Sequence, residues 1–150
     1  MMQTPPPAKQ RFPAAPQIRR VRARVLVVED ELSVREVLSE ELREAGFTVL
    51  EASNAREALD LLHANTALDL VITDIAMPGP MDGVGLARRL KAEVPGLIVV
   101  LTSGLAPKCR IDEFSGGFFL KPYRIETLVS HLDSLMKTRK SGTAASLRRA

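Results

Sequence analysis

The sequence predicts an α/β protein built on a parallel sheet with helices on both faces. Short apolar runs rich in β-branched residues alternate with segments in which apolar residues recur at helical spacing. The runs are apolar throughout, which is typical of strands buried on both sides. Strand–helix–strand units of this kind pair in parallel through right-handed crossovers. Because aromatic residues make up only 4% of the chain and Trp is absent, we expect an aliphatic core.

The first strand and helix lie near residue 30. The run 25–28 predicts a fully buried strand. Ser33, with Glu36 three residues on, predicts a capping box at the start of a helix. We expect Gly46 to end this helix in the left-handed conformation. The apolar stripe of the helix consists of Val34, Val37, Leu38, Leu42 and Ala45.

The next elements follow the same alternation. A second strand is expected at 47–50, and Asn54 with Glu57 predicts the cap of a second helix. The core face of that helix is formed by Ala58, Leu61 and Leu62. A third strand at 70–73 ends at Asp74. The proline- and glycine-rich stretch 77–83 predicts a loop, and a third helix follows over about 84–92.

The last third of the chain predicts strands at 97–101 and 118–120 and a long helix. The apolar positions of that helix are Ile125, Leu128, Val129, Leu132, Leu135 and Met136. Only 18 residues separate Thr102 from Lys121, and three of them are glycines. We therefore expect the fourth helix to be short, irregular or missing. The stretch 104–117, anchored only by Ile111 and Phe114, should be the most mobile part of the body.

Charge is distributed unevenly along the chain. The net charge of +3 includes six basic residues in 1–24 and five in 137–150, where no acidic residue occurs, which leaves −8 for 25–136. We interpret 1–23 as a disordered, basic, Pro-rich extension, 24–137 as one domain and 138–150 as a flexible basic tail. The basic ends leave open a protein that binds nucleic acid or an anionic surface, but no aromatic residues are interleaved with them.

The cysteine count and the length of the apolar runs favour a cytoplasmic protein without a metal–thiolate site. The single cysteine, Cys109, excludes an internal disulfide and fits a reducing compartment. No apolar run approaches the length needed to cross a bilayer, so membrane insertion is not expected.

Polar residues follow four of the predicted strands at the same edge of the sheet. Glu29 and Asp30 follow the first strand, Asp74 the third, Thr102 the fourth and Lys121 the fifth. Ligands bind at this carboxyl edge in open α/β sheets. Clustered carboxylates repel one another unless a cation lies between them, and oxygen ligands suit Mg²⁺. An aspartate can also act as the nucleophile in phosphoryl transfer. Each residue alone has an ordinary structural explanation, whereas their joint occurrence in this order is specific.

Five motifs resemble those of the receiver domains of bacterial two-component response regulators: residues 27–30, 73–78, 81–83, 101–104 and 120–123. The resemblance spans about 24–137, and it implies a flavodoxin-like, doubly wound sheet of five strands in the order 2-1-3-4-5. It implies that Asp74 accepts a phosphoryl group. It also implies that Glu29, Asp30, Asp74 and the backbone carbonyl of Ala76 hold Mg²⁺. By the same resemblance, Thr102 and Lys121 contact the phosphoryl group, Lys121–Pro122 is a cis peptide, and Phe118 is the switch aromatic.

The resemblance also implies partners and a mode of action. The phosphodonor would be a histidine kinase or a histidine phosphotransfer protein, and the output would be binding or phosphotransfer to an unknown downstream protein. The dozen residues after Lys137 are too few for an output domain, so neither direct DNA binding nor enzymatic activity is expected, beyond self-catalysed phosphoryl transfer and autodephosphorylation. A haloacid dehalogenase-type phosphatase would need an aspartate where Ala76 stands. A receiver that is never phosphorylated would not need the full acidic set.

Overall fold

The computed structural model describes residues 23–64, 67–108 and 110–147, with side chains described as far as Arg139. Its centre is one sheet of five parallel strands in the order β2-β1-β3-β4-β5. This is the predicted doubly wound, flavodoxin-like order. The strands are β1 (Arg24–Val28), β2 (Thr48–Ala52), β3 (Leu70–Asp74), β4 (Ile98–Ser103) and β5 (Phe118–Leu120).

Four α-helices cover the two faces of the sheet: α1 (Leu32–Glu44), α2 (Ala55–His63), α3 (Gly83–Glu93) and α4 (Ile125–Leu147). Successive strand residues point to opposite faces. Val25 and Val27 accordingly pack with buried leucines of α1 and α4, whereas Leu26 and Val28 pack with residues of α2 and α3. The core therefore consists of two aliphatic layers, as the fully apolar strand runs predict.

The start of α1 differs from the prediction. The helix begins at Leu32 with Glu31 as its N-cap residue, so the predicted capping box at Ser33 is wrong. Ser33 Oγ instead donates to Glu31 Oε1 at 3.2 Å. The earlier start follows from the turn after β1, in which the Glu29 carboxylate accepts from the Glu31 amide at 3.2 Å. The stripe prediction is also partly wrong, since Val37 is 60% exposed.

Other local predictions are confirmed. Gly46 ends the first helix with φ of 100°. Asn54 Oδ1 accepts from the Glu57 amide at 2.8 Å, and Glu57 Oε2 accepts from the Ser53 amide at 2.8 Å. The first bond satisfies an amide that the first turn of α2 leaves without a helical partner, and the second holds the residue before the N-cap. Asp82 caps α3 by accepting from the Gly85 amide at 2.8 Å, a role that was not predicted from the sequence.

A short 3₁₀ helix (Ile111–Glu113) takes the place of a full fourth helix between β4 and β5, as the sequence predicted. Phe114 is buried behind it, but Ile111 is only partly buried. Glu113 is held by α3, because Arg88 Nε lies 3.1 Å from its Oε1 and Lys91 Nζ lies 2.7 Å from its carbonyl oxygen. The second half of the segment is thus attached to the body.

The backbone of Gly116 completes this attachment. Its amide donates to the Val99 carbonyl at 3.0 Å, and its carbonyl oxygen lies 2.7 Å from His131 Nε2 on α4. The first half of the segment is more open, with Leu105 78% exposed. The segment between β4 and β5 therefore has a fixed half and an exposed half.

The helix α4 continues ten residues beyond Lys137, so the domain end predicted there falls inside a helix. The reason is compositional, since residues 138–147 contain one glycine and no proline to stop the helix. Arg139 Nη1 on this extension donates to the Asp69 carbonyl at 3.2 Å. Residues 1–22 of the predicted N-terminal extension (1–23), Cys109 and residues 148–150 lie outside the described residues. Within the described ranges, no helix is long and apolar enough to cross a membrane.

Candidate functional site

The strand ends bring the predicted residues to one edge of the sheet. Asp74 is the last residue of β3 and pairs in register with Thr102 on β4. The Ile75 amide donates to the Thr102 carbonyl at 2.8 Å, and the Lys121 amide donates to the Ser103 carbonyl at 2.8 Å. These backbone bonds continue the ladders past the strands, so the turns that carry the site are fixed by the sheet.

Three carboxylates form a cluster at this edge. One oxygen from each of Glu29, Asp30 and Asp74 lies within 4.8 Å of the others. Glu29 is 4% and Asp74 8% exposed, whereas Asp30 faces solvent. Three negative charges this close repel one another in the absence of a cation. Their hard oxygen donors, with one open side, fit a magnesium ion that keeps part of its hydration shell.

Lys121 supplies one positive charge to the cluster. Its Nζ lies 2.7 Å from Glu29 Oε2 and 3.1 Å from Asp74 Oδ2. Burial by itself would lower the pKa of Lys121, but the hydrogen bonds to both carboxylates outweigh it and raise this pKa. Burial raises the pKa of Glu29, and the hydrogen bond from Lys121 opposes that rise. The ammonium group is therefore firmly protonated at neutral pH and shared between two acids.

Backbone amides fix the orientation of two of the carboxylates. The Glu31 amide donates to Glu29 Oε1 at 3.2 Å, and the Ala76 amide donates to Asp74 Oδ1 at 3.3 Å. Ala76 thus lies beside the cluster, and the role of its carbonyl as a metal ligand stays a prediction. The orientation of both acids is set from two sides, by an amide and by Lys121.

Gly83 lies directly behind Asp74. A Cβ at this position would overlap the Asp74 carbonyl oxygen. The Gly83 amide donates to the Ile75 carbonyl at 2.9 Å, which closes the loop that follows β3. Glycine is therefore required at the start of α3 because the backbone of Asp74 passes too close for any side chain.

The residues predicted to relay a signal are also near this edge. Thr102 is 2% exposed and is the register neighbour of Asp74. Phe118 pairs with Leu101, is half-buried, and packs against the core layer of α2 and α3. Lys121–Pro122 is a cis peptide, as the resemblance implied. The relay roles themselves stay predictions.

Arg35 also lies at the site, although it was not among the residues predicted from the sequence. Its Nη1 donates to the Glu29 carbonyl at 2.8 Å, and its Nε lies 3.7 Å from Glu51 Oε1 on β2. No signal in the sequence separates this arginine from Arg43 on the same helix, because the contact depends on how α1 lies against the end of β1. A groove of about 870 Å³, which was not predicted either, lies beside Asp30, between α2 and the loop 78–81.

Comparison with known proteins gives a consistent result. The response regulator receiver domain family matches residues 25–133. The response regulator MprA of Mycolicibacterium vanbaalenii is 35% identical over 118 residues, which cover 76% of this chain and 50% of that protein. The transcriptional regulatory protein PhoP of Escherichia coli is 34% identical over 126 residues, covering 81% and 55% respectively.

Solved structures agree with this assignment. A response regulator receiver domain protein from Clostridium thermocellum superposes with a TM-score of 0.72 at 25% identity, covering 79% of this chain and 97% of that one. The response regulator TrrA of Thermotoga maritima, solved in complex with Mg²⁺-BeF, has a TM-score of 0.69 at 29% identity, covering 76% and 99%. This chain spans about half the length of the curated relatives it matches, so the absence of an output domain stays a prediction. With the family match, the relatives and the fold in agreement, the chain belongs to the response regulator receiver domain family, whose members are regulatory phosphoacceptor domains.

Proposed function

We propose that this protein is a phosphorylation-dependent signalling switch in which Asp74 is the phosphoacceptor and Mg²⁺ is the required ion. The observation that carries the proposal is the carboxylate cluster, with Lys121 bonded to two of its three members. A lysine beside an acceptor carboxylate provides charge for the incoming phosphoryl oxygens. An isolated structural ion pair would not need the third, exposed carboxylate of Asp30.

The chemistry is a transfer between a histidine and an aspartate. A carboxylate oxygen of Asp74 forms the new bond to phosphorus while the bond to the donor's histidine nitrogen breaks, and the nitrogen keeps the electron pair. Lys121 is within reach of the carboxylate and would balance charge on the phosphoryl oxygens. Thr102, next to Asp74 in register, would donate its hydroxyl to one of them. The product is an aspartyl phosphate that later hydrolyses.

Glu29, Asp30 and Asp74 would hold the metal ion, together with the Ala76 carbonyl. When bound, Mg²⁺ supplies positive charge that lets carboxylates and phosphoryl oxygens approach one another. The related TrrA was crystallised with Mg²⁺ and a beryllium fluoride, which supports the same choice of ion for this chain. The donor would be a histidine kinase or a histidine phosphotransfer protein, acting in the cytoplasm. Output would follow by binding or phosphotransfer to a downstream protein.

Labelling with acetyl phosphate tests the proposal. With Mg²⁺ present, the protein should gain one phosphoryl group, detected by intact mass or by ³²P incorporation. Asp74→Asn should abolish labelling because the nucleophilic oxygen is gone, and EDTA should prevent it. Asp60→Asn is the matched control, since Asp60 is an exposed aspartate outside the cluster. Labelling that persists in Asp74→Asn, or that is indifferent to EDTA, contradicts the proposal.

A further inference from the structure

We infer that Arg35 is a positioning residue for the metal site, and that it acts by fixing the peptide that leads into Asp30. The inference rests on the proposed function, because it concerns the affinity of the same carboxylate cluster for Mg²⁺. Its basis is a hydrogen bond of 2.8 Å from Arg35 Nη1 to the Glu29 carbonyl oxygen. That carbonyl lies one residue beyond the last paired residue of β1.

Asp30 needs such support more than the other two acids do. Glu29 and Asp74 are each held by a backbone amide and by Lys121. Among the described residues, no hydrogen bond or ion pair is made by the Asp30 carboxylate, and the side chain faces solvent. The place of this carboxylate in the cluster is therefore set by its own backbone.

Arg35 controls that backbone through one planar unit. The Glu29 carbonyl and the Asp30 nitrogen belong to the same peptide, whose atoms lie in a plane. The Glu29 amide, on the other side of Glu29, donates to the Ala52 carbonyl at 3.1 Å. With one bond to β2 and one to Arg35, the direction in which the chain enters Asp30 is fixed.

Arg35 is itself held in place. Its side chain is 16% exposed, and its Nε lies 3.7 Å from Glu51 Oε1 on β2. The guanidinium group thus links α1 both to the end of β1 and to β2. A residue outside the coordination sphere that orients a ligand typically changes metal affinity by about tenfold or more when it is replaced.

Charge and positioning predict effects of opposite sign. Arg35 is a cation near a cation site, so on Coulomb grounds alone its removal should tighten Mg²⁺ binding. If Arg35 positions Asp30, its removal should weaken binding in spite of the lost repulsion. The sign of the change therefore separates the two effects in a single measurement.

The experiment is a Mg²⁺ titration of the full chain by calorimetry or amide chemical shifts. Arg35→Met, which keeps the apolar stem, should raise the Kd for Mg²⁺ about tenfold. Arg35→Lys, which keeps the charge and a donor nitrogen that can reach the carbonyl, should recover most of the loss. Arg43→Met is the matched control, because Arg43 also lies on α1 and pairs with Glu51 at 3.0 Å but makes its carbonyl contact with Val49. Its Kd should equal that of the wild type.

A double-mutant cycle separates positioning from general damage to the fold. In an Asp30→Ala background, Arg35→Met should cause no further loss of affinity, because the positioned ligand is gone. If Arg35→Met does not fold, Arg35→Gln takes its place in the cycle with the same expectation. Binding by Arg35→Met, or by Arg35→Gln where it takes its place, that equals or exceeds that of the wild type overturns the inference. An effect of the same substitution that is undiminished in the Asp30→Ala background overturns it as well. A wild-type protein that binds no Mg²⁺ contradicts the proposed function instead.

Discussion

Replacing Lys121 by Met should destabilise the protein in the absence of Mg²⁺ and make it more responsive to the ion. The variant keeps the length of the side chain but leaves the buried Glu29 and Asp74 without their shared cation. Breaking a buried ion pair on one side costs about 3–5 kcal/mol. Because 26% of the Lys121 side chain is exposed, solvent screening reduces the expected loss to about 2 kcal/mol. For a domain of this size that loss lowers Tm by about 8 °C.

Mg²⁺ should reverse most of this loss. In the variant no ammonium group competes with the ion for Glu29 and Asp74, so Mg²⁺ should bind more tightly than in the wild type. Each tenfold gain in affinity recovers about 1.4 kcal/mol of the loss at a saturating ion concentration. An ion present at 100 times its Kd stabilises the folded state by about 2.7 kcal/mol. Thermal unfolding followed by circular dichroism, with EDTA and with saturating Mg²⁺, measures both effects. The Tm gap between variant and wild type should be wide in EDTA and narrow in Mg²⁺.

Lys91→Met is the control for this prediction. Lys91 is an exposed lysine with one hydrogen bond, to the Glu113 carbonyl at 2.7 Å, and its loss should change stability by about 1 kcal/mol or less, equally with and without Mg²⁺. Two results refute the reasoning: an unchanged Tm for Lys121→Met in EDTA, or a smaller Mg²⁺ stabilisation than in the wild type. Either would mean that Lys121 does not relieve the repulsion within the cluster.

Two further predictions concern the segment after β4 and the cap of α2. In hydrogen exchange, the exposed amides of Gly104, Ala106 and Lys108 should exchange fast, and those of Phe114 and Gly116 should exchange slowly because they are hydrogen-bonded to backbone carbonyls. A beryllofluoride phosphoryl mimic should slow exchange at the first three, and unchanged exchange there would place the switch elsewhere. The Glu57 carboxylate accepts a hydrogen bond from the Ser53 amide, which lowers the pKa of Glu57 below its ordinary value of 4.5. The contribution of this bond to the free energy of unfolding is therefore fully present above pH 4.5 and is lost as the pH falls through the folded-state pKa. Glu57→Gln should therefore cost about 0.5 kcal/mol at pH 7 in urea unfolding and nothing in strong acid, and a pH-independent difference would contradict this.

Much of the fold and the site could be predicted because both depend on short-range patterns. Uninterrupted apolar runs such as 25–28 can be placed only at the centre of a sheet, and the parallel arrangement then brings the residues that follow Val28 and Thr73 to one edge. The shortened connection before β5 was also predictable, since 18 residues with three glycines cannot hold a regular helix and its two loops. These inferences need no knowledge of side-chain contacts.

The wrong or missing predictions concern features that are set by tertiary contacts. The start of α1 is set by the Glu29 carboxylate and not by Ser33, and a local capping pattern cannot reveal that. Val37 fits a helical stripe but lies beyond the edge of the sheet-facing surface. The contact between Arg35 and the Glu29 carbonyl depends on the angle at which α1 leaves the sheet. Such angles follow from the packing of whole elements, which a sequence pattern does not specify.

The close approach of Gly83 to Asp74 has a consequence for how a signal can leave this site. The main chain of Asp74 lies against the start of α3 on one side, where a single added Cβ at Gly83 would overlap it, and is paired with β4 on the other. With its main chain held on both sides, we expect Asp74 to keep its backbone position when its carboxylate is modified. On the proposed function, the displacement would then fall to the neighbouring side chains of Thr102 and Lys121 and to the chain that follows each of them. In the switch that we propose, the direction of the signal would therefore be set by an acceptor residue whose main chain stays in place.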